Sequence, residues 1–210
     1  MKNVVMISTM IMIMAASAPA VPVTIEFVNT TGDWHINQPG DPADTIYFDQ
    51  DIRVFRAMGD STDPLTGAYV HISSMAVGGI PGGPYTLAGG TLSITDSGTP
   101  GGETVTYLSG IVSDGDLVPV GTMSVGYTLF SADISNVTID NTIGSAALAV
   151  LENVLPDFHV AFTGAIAGFK NVLDNTLPAE GSFSGAITAP EPATVAILAA
   201  GGLLLYRPRK

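Results

Sequence analysis

Residues that alternate between apolar and polar, in short runs broken by Gly, Pro, Asp and Asn, constrain this chain more than any other feature. Val23-Thr24-Ile25-Glu26-Phe27-Val28, Tyr69-Val70-His71-Ile72, Thr91-Leu92-Ser93-Ile94-Thr95 and Glu103-Thr104-Val105-Thr106-Tyr107-Leu108 all have a period of two. Further candidates are Thr122 to Phe130, Asn136 to Ile139, Phe158 to Phe169 and Ser182 to Thr188. A period of two puts one set of side chains on a core face and the other in solvent, and the Thr, Val, Ile, Tyr and Phe that fill these runs suit a pleated surface. Gly78-Gly79-Ile80-Pro81-Gly82-Gly83-Pro84 reads as a break that excludes both a helix and a central strand. Asp96 to Gly102 reads as a hairpin loop, and Asp114-Gly115-Asp116 as another turn. Short strands with frequent turns predict an all-β domain, a single β-sandwich or jelly roll. One stretch, Ser145 to Val154, fits a short helix and a buried strand about equally well. No internal repeat supports a propeller or β-helix. There is no cysteine, so core burial alone must hold the fold, and thiol catalysis, Cys-ligated zinc and iron–sulfur clusters are excluded.

The two ends carry signals of a different kind. Lys2, an apolar run from Val4 to Ala16, and then Ala18-Pro19-Ala20 have the layout of a secretory signal peptide. Ala18 and Ala20 supply the small residues a signal peptidase reads, which predicts cleavage after residue 20. At the other end Pro190-Glu191-Pro192 precedes Ala193 to Tyr206, fourteen residues without a charge, and then Arg207-Pro208-Arg209-Lys210. A basic end after an apolar segment stays on the cytoplasmic side of a bilayer. At about 1.5 Å per residue, fourteen helical residues reach about 21 Å, short of a ~30 Å hydrocarbon core. Snorkelling of Arg207 or thinning of the bilayer closes the difference.

This tail resembles a PEP-CTERM sorting signal, in the Pro190-Glu191-Pro192 tripeptide, the Ala193-Thr194 that follows, the apolar segment and the basic end Arg207, Arg209, Lys210. Pro208 interrupts the basic cluster, which keeps its three charges. Tails of this type also carry the label ice-binding protein C-terminal domain. The resemblance covers residues 190–210 and implies an exported bacterial protein held briefly in the inner membrane, then cut by an exosortase. Such proteins are associated with exopolysaccharide and biofilm. The expected organisation is therefore a signal peptide at 1–20, a secreted β domain at 21–187 and a sorting signal at 188–210.

The whole chain has a formal charge of −12. Without the leader and tail, eighteen Asp and Glu face three basic residues, Arg53, Arg56 and Lys170, a balance near −15. This excludes a nucleic-acid partner, which needs a basic face, and disfavours anionic membrane surfaces. Acidity of this kind favours solubility outside the cell. Acidic pairs in loops are the raw material of a Ca²⁺ site, and Asp49, Asp51, Asp114 and Asp116 are the candidates. No EF-hand loop is present, and Asx turns account for most such pairs, including Asp41/Asp44 and Asp60/Asp63.

His35, His71 and His159 lack metal-ligand spacing, and there is no GxSxG elbow, P-loop or dinucleotide fingerprint. Trp34, the only tryptophan, reads first as a buried anchor and second as a sugar-stacking platform. Asn29-Thr30-Thr31 and Asn136-Val137-Thr138 match the glycosylation sequon, for which a bacterial protein has doubtful use. The expectation is an exported, non-enzymatic structural or adhesive protein without a cofactor, processed by signal peptidase and exosortase and associated with extracellular polysaccharide. The alternatives are a carbohydrate- or Ca²⁺-binding module and a secreted polysaccharide hydrolase.

Overall fold

Alternation gives the described residues of this chain fourteen strand segments. The computed structural model describes residues 24–29, 34–48, 51–79, 84–99, 102–122, 125–152, 154–163 and 169–189. The segments are β1 (Thr24–Asn29), β2 (Trp34–Ile36), β3 (Thr45–Phe48), β4 (Ile52–Ala57), β5 (Tyr69–Ile72), β6 (Met75–Gly79), β7 (Tyr85–Leu87) and β8 (Gly90–Thr95). They continue as β9 (Thr106–Val112), β10 (Gly115–Thr122), β11 (Val125–Ile139), β12 (Asp157–Thr163), β13 (Ala179–Gly181) and β14 (Phe183–Thr188). Among the described residues two short helices, α1 (Ala146–Leu151) and α2 (Phe169–Asn175), interrupt the series.

The pairings reduce these segments to eight antiparallel strands in simple succession. β1 and β2 act as one bent strand, paired with β4 and β3 respectively. The same holds for β3/β4 against β5/β6, β5/β6 against β7/β8, and β7/β8 against β9/β10. β11 pairs with both β9 and β10 along one edge, and with β12 along the other. β12 pairs with β14, which returns to β1, while β13 meets β2. The result is a closed eight-strand barrel in which sequence neighbours are spatial neighbours and no edge is left in the ring. The sandwich expected from the sequence consists of two separate sheets; here a single sheet closes on itself.

The bends are where sequence reading and structure part. Ser73 N–H donates to Thr91 O, Ala88 N–H to Ala76 O and Ser113 N–H to Asp133 O, so the ladder runs on through each corner. Asp114-Gly115-Asp116 is thus a corner within a continuing strand and not a reversal. Gly89 at one corner has no alternative: a Cβ there would lie 2.2 Å from the carbonyl oxygen of Val112. Gly78 and Gly79, expected to break the strand, pair with Thr86 and Tyr85. The alternating run after Phe158 keeps strand geometry to Thr163, and its far end begins α2. Within Ser145 to Val154 a helix forms over Ala146–Leu151, with Ser145 capping the Leu148 N–H.

Inward side chains fill the barrel, as eight strands allow. Phe27 stacks on Phe158 at 5.9 Å between centroids, Phe130 meets Phe158 edge-on, and Trp34 meets Phe162 edge-on at 5.6 Å. Leu148 and Leu151 of α1 join the core at one end, with Leu65. Val172 and Leu173 of α2 join it at the other, where Tyr85 hydrogen-bonds Asp174. Outward positions mix Glu26, Arg53, Thr91 and Asp133 with exposed Phe55, Ile111, Val118 and Leu129, and the interior is apolar where a lipid-facing barrel is polar. Among the described residues no helix is long and apolar enough to cross a membrane. Ala18, Ala20, Asp49, Pro190-Glu191-Pro192, Arg207, Arg209 and Lys210 lie outside the described residues.

Candidate functional site

Closing the barrel decides which outward side chains become neighbours. Register fixes two rows across the wall made by β11, β12, β14 and β1. One row runs Ser131, His159, Ala186, Glu26; the next runs Leu129, Ala161, Ser184, Val28. Both middle positions of the second row, Ala161 and Ser184, are small, and the first row has His159 beside Ala186. Large side chains stand at the margins, with Leu129 40% exposed on one side and Phe55 of β4 56% exposed on the other. Between them lies a shallow apolar groove of about 420 Å³, floored by Ala161, Ser184 and Ala186. Two polar contacts fix its lower rim. Ser131 Oγ lies 2.9 Å from His159 Nδ1, and Arg56 Nε donates to Glu26 Oε2 at 2.6 Å.

A second hollow of about 680 Å³ adjoins it and shares Leu129, Ser131 and His159. Its character is acidic. β10 contributes Asp116 opposite Ser131, and Asp133 of β11 stands directly opposite Asp157 of β12. Asp114 at the corner completes the lining, its carboxylate accepting the Gly89 N–H at 2.7 Å. Like charges directly opposite each other oppose strand pairing, and among the described residues none of these four carboxylates is in an ion pair. This wall is therefore an apolar trough opening into an uncompensated negative one. Asp133 and Asp157 lie side by side on one open face of this wall.

The residues singled out from sequence fare unevenly. Asp114 and Asp116 come together in the acidic hollow. Asp51, by contrast, pairs with Arg53 at 3.2 Å on a different part of the wall. Among the described residues no three His, Cys, Asp or Glu side chains converge closely enough to hold a metal ion. The three histidines are dispersed. His35 faces Asp41 at 3.3 Å, His71 lies 2.9 Å from Thr95 Oγ1 and 2.8 Å from Ser97 O, and His159 joins the groove. Asp60 is an Asx turn: the Thr62 backbone N–H and then its hydroxyl hold the carboxyl below its ordinary range. Asp96 is likewise lowered, first by the Thr104 hydroxyl and then by the Val105 N–H. Trp34 is fully buried, its Nε1–H shared between Thr163 O at 3.0 Å and Ser182 O at 3.1 Å, so it serves as an anchor and is closed to a sugar.

Asp133, Asp157, His159 with Ser131, and Phe55 did not stand out in the sequence as members of one site. β11 and β12 are separated by residues 140–156, and only their register brings Asp133 to Asp157. Comparison with protein-family models, curated proteins and solved structures gives no match. The resemblance of the tail thus rests on its own residues.

Proposed function

We propose that this is an exported, non-enzymatic protein of the bacterial cell surface or extracellular matrix, a structural or adhesive component associated with exopolysaccharide. The observation that carries this reading is the tail: Pro190-Glu191-Pro192, an uncharged apolar segment and a basic end. The leader ending at Ala20 supports export independently. A barrel whose interior is packed with its own apolar and aromatic side chains, in a domain whose charge balance is near −15, suits a solvated domain that works through its surface. On this reading signal peptidase and an exosortase are processing partners, the inner membrane is a transient one, and the mature domain needs no cofactor.

Intact-mass measurement of the protein recovered from its host tests the reading. The expected mass lacks residues 1–20 and the segment from about Pro190 onward. Replacing Pro190-Glu191-Pro192 by three alanines should leave the chain unprocessed in the inner-membrane fraction. A full tail on most wild-type molecules would replace the sorting signal with a permanent anchor. Among the other readings, a carbohydrate-binding module is favoured by the groove on the outer wall.

A further inference from the structure

We propose that the joined trough on the barrel wall is a binding site for an amino-sugar polysaccharide with free amines, such as a de-N-acetylated glucosamine chain. The choice of a polymer found outside cells rests on the export reading above; the site itself rests on geometry and charge.

The trough runs across the strands. It begins at Asp116 on β10, crosses β11, β12, β14 and β1, and ends at Phe55 on β4. Ala161 and Ala186 give a floor of small side chains on which the C–H face of a pyranose ring can lie. Phe55, 56% exposed and with the Arg56 guanidinium carbon 5.7 Å from its ring centroid, offers aromatic surface at one end. At the other end Asp116, Asp133 and Asp157 supply negative charge, and among the described residues none of them is in an ion pair. Charge complementarity selects a cationic chain over a neutral or acidic one.

The same features argue against a basic peptide. Peptides bind to sheets chiefly by adding a strand to an open edge. Each of β11, β12, β14, β1 and β4 is already paired on both sides along this wall, so no edge is offered. Nor does the shallow floor provide pockets for alternate side chains.

Titration calorimetry on the full-length chain in mild detergent, at mildly acidic pH and low salt, tests this. The probes are glucosamine hexamer, its fully N-acetylated counterpart and lysine hexamer. Glucosamine hexamer should bind, and the acetylated form about tenfold more weakly or worse, since it lacks the charge-assisted contacts. Asp116→Asn with Asp157→Asn, isosteric changes that relieve repulsion, should erase that difference. Phe55→Ala, at an exposed position, should weaken both sugars alike by about fivefold. Absence of heat with glucosamine hexamer overturns the proposal. So does lysine hexamer binding as tightly, which would make this a general cation site, or affinity unmoved by both variants. Normal tail processing with no sugar binding would remove the site and leave the sorting reading standing; sugar binding with an unprocessed tail would do the opposite.

Discussion

Gly185 shows how closely the interior of this barrel is fitted. It occupies an inward position of β14 opposite Phe27, and a Cβ there would lie 2.3 Å from the Phe27 ring and 2.7 Å from the His159 carbonyl oxygen. Phe27 is itself stacked on Phe158, so neither ring can retreat without moving the other. Gly185→Ala should therefore destabilise the domain by about 1–3 kcal/mol through overpacking, read as a lower midpoint in urea with an unchanged slope. A neutral result would mean that Phe27 has room the structure does not show. No sequence signal marks this glycine. Ser182 to Thr188 alternates with or without it, and the ring it accommodates lies more than 150 residues away in sequence.

Among elements, α1 shows how a six-residue helix with few intrinsic stabilisers is held. Asp63, 8% exposed, accepts the Leu65 N–H at 2.9 Å through one carboxylate oxygen and the Ala146 N–H at 3.1 Å through the other. One side chain thus ties the β4–β5 loop to the first turn of the helix that closes this end of the barrel. Asp63→Ala removes two hydrogen bonds to a charged group from a buried position and should cost about 2–4 kcal/mol. Hydrogen exchange at Leu65 and Ala146 should rise well above that at Leu92 and Ile94 in the wall. If all four amides rise together, the end closure is not a separate unit. Legibility also divides at this scale. β1, β5, β8 and β14 could be read from alternation because each is a straight run. The corners could not, because Ser, Asp and Gly serve a bend within a strand and a reversal equally well. Asp63 looked like one more Asx turn; its second oxygen reaches a residue 83 positions away.

At the scale of the molecule, one contiguous core links all eight strands and both helices. The acidic hollow and its apolar extension exist only because that core closes the ring and sets β11 and β12 in register, which is why composition and spacing could not place them. Trp34 is a built-in probe of this closure. It is fully buried, and its indole N–H bridges Thr163 and Ser182 where β12 and β14 meet. Native emission should be blue-shifted. On denaturation its red shift should coincide with loss of far-ultraviolet circular dichroism, as a single cooperative transition requires. Separate midpoints would show that part of the wall opens before the rest.

The pairing of Thr24 with Thr188 sets an order of events in time. A chain made from its N-terminus can build the hairpins from β1 to β11 as they emerge, since each strand meets the one before it. The ring stays open until β14 arrives, almost at the end of the domain, leaving β1 with one edge unoccupied throughout. A chain that stops short of Phe183 thus presents a ready template for strand addition by another copy. Synthesis to the last strand is what closes that edge.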